Sequence, residues 1–336
     1  MHLYSHRNPK PAKTCAVCRY GATGDVLQAT SILPALKEQG YHITFFTTPA
    51  LHEIIKTDPH IDAFVIQETD HIPNHQLGEF WAAMAKKYDK FVNLSESVER
   101  TLLAMPGNMN HTWSHEMRHK HLNKNYVSFV HDIAGVPMPS RMKFYPTSEE
   151  TEWARKEKGE GKVILWVLSG SAVHKTWPYL DVTMDAVLRN NPEARFVLVG
   201  DKDCQKLEAG WENVSQVRCR SGKWTLRQTL AFAQVADLVI GPETGVLNAV
   251  AMWPVEKIVL LSHSSVENLT RDWVNCTSVF SVKTDCYPCH MLHAVQDGFK
   301  HCKESEITGV AQCQADIPAS VVLNAINKTI AYREAA

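Results

Sequence analysis

Short apolar runs rich in β-branched residues recur along the chain, and between them lie segments whose apolar positions fall three and four apart. The first pattern belongs to buried strands and the second to helices packed against them. The first half predicts a strand over 14–19, a helix over 26–37, a strand over 41–46, a helix over 49–56 and a strand over 64–66. A helix over 77–87, a strand over 90–94 and a helix over 123–134 continue the series. The alternation restarts with strand 163–168, helix 179–189, strand 195–199 and a helix ending at 209. Strand 214–218, helix 226–235, strand 238–240, helix 245–252 and strand 257–261 follow, and a last helix covers 319–331. Alternation at this spacing gives parallel, doubly wound sheets. Between the two series, Pro137, Pro139 and Pro146 interrupt any sustained period. The pattern therefore predicts an α/β chain with two Rossmann-like domains over 14–140 and 151–318, a link over 141–150 and a terminal helix over 319–336.

Composition narrows this picture. A chain of 336 residues is long for one core and ample for two, and 44% hydrophobic with 21% charged residues is the balance of a soluble globular protein. No apolar run approaches the length that spans a bilayer, so a cytoplasmic protein is expected. A net charge of −1 gives no overall pull toward nucleic acid, although His2, His6, Arg7, Lys10 and Lys13 make 1–13 a basic arm. Nine cysteines on a chain of this kind suit thiols or a metal site better than a disulfide framework.

Two turns carry the candidate chemistry. Leu238 to Ile240 runs into Gly241-Pro242-Glu243-Thr244-Gly245, where a helix begins, and Gly21-Ala22-Thr23-Gly24-Asp25 stands in the same relation to the first strand. In a parallel sheet such turns lie at the carboxyl ends of strands, and the following helix aims free N–H groups at the crevice. Thr244 and Asp25 also suit plain helix caps, a reading that the turns alone leave open.

Three segments in order, Gly24-Asp25-Val26-Leu27, Lys175-Thr176-Trp177-Pro178 and Glu243-Thr244-Gly245, resemble glycosyltransferase family 9, the lipopolysaccharide heptosyltransferases and their relatives. The similarity runs from about Thr14 to the last helix. It implies a GT-B fold and an inverting, metal-independent transfer of a sugar from a nucleotide-diphosphate sugar to an acceptor hydroxyl, with no cofactor required. It also implies that the first domain holds the acceptor and the second the donor. Asp25 falls on the family's general base and Lys175 on its phosphate-contacting lysine. A carboxylate there can take the proton of the attacking hydroxyl, and an ammonium can offset the charge of the leaving diphosphate. Gly24, Ser169, His174, Lys175, Asp201, Asp203, Glu243, Thr244, Gly245, Val246 and Asn248 are then the expected donor contacts. Glu243 and Asn248 depart from the family's usual Asp and His, which leaves the sugar open.

Two further motifs point elsewhere. His115-Glu116-Met117-Arg118-His119 matches the zinc-hydrolase pattern H-E-x-x-H, but Leu122 and Asn125 stand where the extended form needs Gly and His. The alternative is a basic face in which His115, Arg118, His119 and Lys120 bind an anionic acceptor, either a glycan core or a nucleic acid. Cys286 and Cys289 have zinc-ligand spacing, and Cys302 and Cys313 follow without it, so a structural zinc, a redox pair and simple packing all remain open.

Overall fold

The computed structural model describes residues 13–68, 71–138 and 142–335. The basic arm expected over 1–13 lies, apart from Lys13, outside these residues. The first half runs β1 (Thr14–Cys18), α1 (Thr23–Thr30), α2 (Leu33–Glu38), β2 (His42–Thr47), α3 (Pro49–Ile55), β3 (Ala63–Ile66), α4 (Leu77–Ala85), β4 (Lys90–Asn93), α5 (Ser97–Thr101), α6 (His115–Leu122) and α7 (Tyr126–Ala134). The second runs α8 (Ser148–Lys158), β5 (Val163–Val167), α9 (Leu180–Asn190), β6 (Arg195–Val199), β7 (Val217–Cys219), α10 (Leu226–Val235), β8 (Leu238–Pro242), α11 (Gly245–Ala249), β9 (Glu256–Leu260), β10 (Cys276–Val279), α12 (Gln312–Ala315) and α13 (Ala319–Ala335).

Each half holds one parallel sheet, in the orders β3-β2-β1-β4 and β10-β9-β8-β5-β6-β7. The strand order reverses between β1 and β4 in the first sheet and between β8 and β5 in the second. At such a switch point the loops leave in opposite directions and open a crevice at the carboxyl ends of the strands. Both turns singled out in the sequence therefore stand at a crevice edge. Two sheets in this arrangement make a GT-B fold.

Local chemistry explains where elements differ from expectation. The helix expected over 26–37 is broken into α1 and α2, because Pro34 has no N–H to donate and its ring crowds the Thr30 carbonyl. Helix α8, inside and beyond the expected link, opens with a capping box in which Thr147 and Glu150 bind each other's backbone N–H groups. The helix expected up to 209 is a 3₁₀ segment, Asp203–Glu208, and α11 stops at Ala249 rather than 252. The edge strand β10 and the short α5 and α12 carried no periodic signal of their own.

The main core spans both halves: Val17, Leu33 and Phe45 of the first and Leu230, Val246 and Leu247 of the second belong to one buried cluster. Arg227 on α10 locks them together. It pairs with Glu150, donates to the Glu53 and Ile54 carbonyls at the end of α3 (2.9 and 3.1 Å), and lies over Phe144. A cation at a helix carboxyl end also meets the favourable pole of the helix dipole. Cys15 and Cys18, being on a strand, face opposite sides and pack in separate clusters, so they share no ligand.

Candidate active site

A cavity of about 850 Å³ lies between the two switch points and takes its walls from both halves. Of the residues expected from the sequence, Gly24, Asp25, Ser169, Lys175, Asp201, Glu243, Thr244, Gly245, Val246 and Asn248 line it. The two turns touch. A β-carbon at Gly245 would lie 2.7 Å from the Thr23 β-carbon, and one at Gly24 would lie 3.1 Å from the Asn248 amide nitrogen. Glycine at these positions lets the start of α1 approach the start of α11 closely enough for Gln28 and Asn248 to bond across the cleft at 3.1 Å.

Asp25 sits in the first turn of α1, where its Oδ2 accepts from the Ala22 N–H at 2.8 Å. Its Oδ1 lies 3.2 Å from Arg19, which follows β1 and is 1% exposed. The same guanidinium grips Glu99 of α5 at 3.0 Å through both carboxylate oxygens and donates to the Leu94 carbonyl. Burial pushes the Glu99 carboxyl up, Arg19 pulls it down, and Asp25 adds to the rise, leaving it raised.

Lys175 faces this group from the second half. Burial lowers its ammonium, while the Glu243 and Asp25 carboxylates partly restore it. Its side chain makes no hydrogen bond or ion pair with any described residue. Glu243 is spent differently from expectation. Its Oε1 accepts the backbone N–H groups of Ser262, His263 (3.1 Å) and Ser264 (3.3 Å), and Oε2 lies 2.7 Å from His263 Nδ1. Burial alone would raise this carboxyl, but His263, Lys175 and the Ser262 N–H together hold it far below the carboxylate range. Glu243 thus shapes the 262–264 loop into a cavity wall. Thr244 caps no backbone group with its side chain, and its buried hydroxyl has no partner.

Other expected residues lie elsewhere. His174 is buried behind the wall, with Nδ1 at 2.7 Å from the Ser262 hydroxyl, and burial together with His263 and Lys175 keeps it neutral. Asp203 is exposed, beside Lys206. Asp201 reaches the cavity while its Oδ1 caps the Cys204 N–H at 3.1 Å. His115 donates to the Pro288 carbonyl at 3.0 Å, Arg118 to the Cys289 carbonyl at 3.0 Å, and His119 meets His290 at 3.1 Å. These three side chains therefore hold the 288–290 loop and do not line the cavity, leaving Lys120 exposed and unpartnered on the same helix. The zinc-hydrolase pattern does not assemble, because both histidines are engaged and, among the described residues, no three His, Cys, Asp or Glu are arranged to hold a metal ion. Arg19, Gln28, Glu99, Tyr126 and His263 were missed. Only Arg19 left a signal, as a charge directly closing an apolar strand.

No protein-family model matches the chain, and no curated protein does. Solved structures do. Heptosyltransferase II of E. coli, described as acting with ADP-heptose on lipopolysaccharide, superposes over 96% of this chain and 99% of its own with a TM-score of 0.66 at 14% identity. A family 9 glycosyl transferase from Veillonella parvula gives 0.67 over 96% and 98% at 16% identity. The fold is that of the heptosyltransferases. The iron-containing dodecameric glycosyltransferase TibC of enterotoxigenic E. coli shares this GT-B fold, with a TM-score of 0.62 over 94% of this chain and 78% of its own at 13% identity. No helix among the described residues is long and apolar enough to cross a membrane.

Proposed function

We propose that this protein is a family 9 glycosyltransferase that moves a sugar from a nucleotide-diphosphate sugar to a hydroxyl of an anionic acceptor, with inversion and without a catalytic metal. The observation that carries this reading is Lys175: a partly buried cation whose ammonium makes no hydrogen bond or close ion pair with any described residue, in an interdomain cavity, facing a carboxylate across the cleft. A desolvated ammonium without a hydrogen-bonding partner is costly unless something neutralises it, and a diphosphate does. The neighbours in fold described with ADP-heptose, heptosyltransferase II and the E. coli heptosyltransferase WaaC with an ADP-fluoroheptose (TM-score 0.53), supply the donor class.

In this mechanism the Asp25 carboxylate takes the proton of the acceptor hydroxyl while its oxygen bonds to the anomeric carbon. The bond from that carbon to the diphosphate breaks on the opposite face, so configuration inverts. Lys175 and the N–H groups of Thr244, Gly245 and Val246 offset the charge that grows on the leaving diphosphate. Ser169 and Asn248 border the sugar and phosphates, and Asp201 borders the nucleoside.

Cys286, Cys289, Cys302 and Cys313 are proposed to hold a structural metal, outside the reaction, only once the thiols move closer together, since no three of them are arranged as a ligand set here. Thiol donors suit zinc or iron, and TibC is described as iron-containing. Burial raises Cys289 to about 12, with Cys286 and Cys302 adding to the rise, so these thiols share one neighbourhood.

A thermal-shift panel of ADP-, GDP- and UDP-sugars tests the donor class. A ligand at 100 times its Kd adds about 2.7 kcal/mol, and a melting point indifferent to every nucleotide sugar would end this reading.

A further inference from the structure

The pair of carboxylates on one guanidinium does more than the proposed transfer requires of a single base. Arg19 NH2 lies 3.2 Å from Asp25 and 3.0 Å from Glu99, and NH1 holds the second Glu99 oxygen at 3.0 Å. Gly21, at φ +115°, keeps the space between them open: a β-carbon there would lie 2.9 Å from Asp25 Oδ2 and 3.0 Å from Glu99 Oε1. Arg19 comes from the end of β1 and Glu99 from α5 just after β4, so the two strands flanking the switch point supply the two parts of the clamp. Both carboxylates border the cavity, while the guanidinium does not.

We infer that Glu99 is a positioning residue that keeps Asp25 basic by taking the larger share of the Arg19 charge. The bidentate grip belongs to Glu99, and Asp25 receives only one edge of the fork, at longer range. Charge-assisted, bidentate pairs are the stronger ones, so the guanidinium is held mainly by Glu99. A base tied to a guanidinium of its own would be a weak proton acceptor. Sharing one cation between two anions leaves a net negative charge around the oxygen that must accept a proton, and the same cation still fixes its direction. Other charged and titratable groups around the cluster are Lys175 from the second half, Glu243 beyond it and Tyr126 of α7, whose buried phenol stays protonated. None replaces Glu99 on Arg19. The Glu99 carboxyl is raised chiefly by burial, and Asp25 on the same cation adds to the rise.

This inference rests on the glycosyltransferase reading with Asp25 as base, so two variants separate the failures. Asp25→Asn comes first: if transfer continues at the normal rate, the base assignment itself is wrong. If Asp25→Asn loses transfer, Glu99→Gln becomes the decisive variant, read by the pH profile of kcat/KM and by donor Kd from calorimetry. With Glu99 neutral, the whole Arg19 charge falls on Asp25. The acidic limb should then move to lower pH, and the plateau rate should fall by about 3–10-fold as the base weakens, with donor Kd unchanged. Glu99→Asp keeps the charge on a shorter arm and should show a smaller move in the same direction. It also serves alone should Glu99→Gln not fold. An acidic limb that stays in place in the folded variants, whatever happens to stability, overturns the inference and leaves the glycosyltransferase reading intact.

Discussion

Gln28 Nε2 donates to Asn248 Oδ1 at 3.1 Å, joining the helix that begins beside Asp25 to the helix that begins at Thr244. Asn248 also donates to the Thr244 carbonyl at 2.9 Å, so its side chain fixes the donor turn and the closure of the cleft together. Replacing it with alanine leaves the Gln28 amide buried without that partner, at a cost of about 1–3 kcal/mol. Asn248→Ala is expected to lower the melting point and raise donor KM. An unchanged KM would detach this bond from donor binding.

The glycine contact gives a steric counterpart. At Gly245 an added methyl meets the Thr23 β-carbon at 2.7 Å, too close without a shift, whereas at Gly24 it meets the Asn248 amide at 3.1 Å, which a few tenths of an ångström of give would relieve. Overpacking of this kind costs about 1–3 kcal/mol, and 1.4 kcal/mol is tenfold in rate. Gly245→Ala should lose tenfold or more in turnover and Gly24→Ala clearly less. The reverse order in side-by-side steady-state assays would mean that the two turns do not meet this way during reaction.

Lys175→Ala should weaken donor binding and slow transfer together, because the ammonium meets the diphosphate before and during reaction. The variant protein alone should differ little in stability from the parent, since relief of the partly buried ammonium's desolvation offsets the lost attraction to Glu243. Calorimetric donor Kd, single-turnover rate and melting point test all three statements. A destabilised variant with normal donor affinity would assign Lys175 to the fold.

Acid should destabilise the protein in two stages. Burial, with His119 and His263 respectively as the next cause, lowers His290 to about 3 and His293 to about 4. An unfolded histidine titrates near 6.5, so below roughly pH 6.5 the unfolded chain binds protons that these folded rings refuse. Their contribution is whole above that pH and is lost as pH falls toward 4. Glu243, held down by His263 and Lys175 against its burial, contributes above the unfolded Glu value of about 4.3 and loses that below it. Replacing His293 with asparagine should flatten urea-derived stability between about pH 6 and 4, and Glu243→Gln should flatten it only below about 4.3. The same flattening window for both variants would contradict these assignments.

How much of this was legible in the sequence depended on the kind of signal. Apolar period exposed the strands and the long helices, because burial on a sheet demands it. It missed α8, whose exposed face is almost wholly charged, although Thr147 and Glu150 spelled out its cap. Asp25, Lys175 and Thr244 were legible because they stand in turns at the carboxyl ends of strands and in the motifs that carry the family resemblance, and the fold brings them to one cavity. Glu99 and His263 were not, since what makes them matter is a partner far away in sequence: Arg19, 80 positions before Glu99, and Glu243, across a helix and a strand from His263. The histidines of α6 misled for the opposite reason. Their spacing was right for a ligand, but the carbonyls and rings of the 288–290 loop already occupied them.

The acceptor proposal can be tested on what α6 still offers. Arg118 is tied to two backbone carbonyls, so Arg118→Ala should disturb the 288–290 loop and lower stability, which makes it a poor probe of acceptor binding. Lys120 is exposed and free, and Lys124 is exposed just beyond the helix. If this face meets an anionic acceptor, Lys120→Ala with Lys124→Ala should raise acceptor KM several-fold and leave the melting point and donor Kd alone. Salt then separates the acceptor classes. A nucleic acid displaces condensed counterions, so its log affinity falls with log salt by about 0.7–0.9 per phosphate contacted, whereas a glycan core with one or two phosphates has no such condensed layer and should respond weakly. We expect the shallow dependence, because two lysines, one near the end of α6 and one just beyond it, span too little charge to track a polyanion. A steep, linear slope that the double variant reduces by about two would make nucleic acid the acceptor, and an acceptor KM indifferent to both lysines would move the acceptor site off this helix altogether.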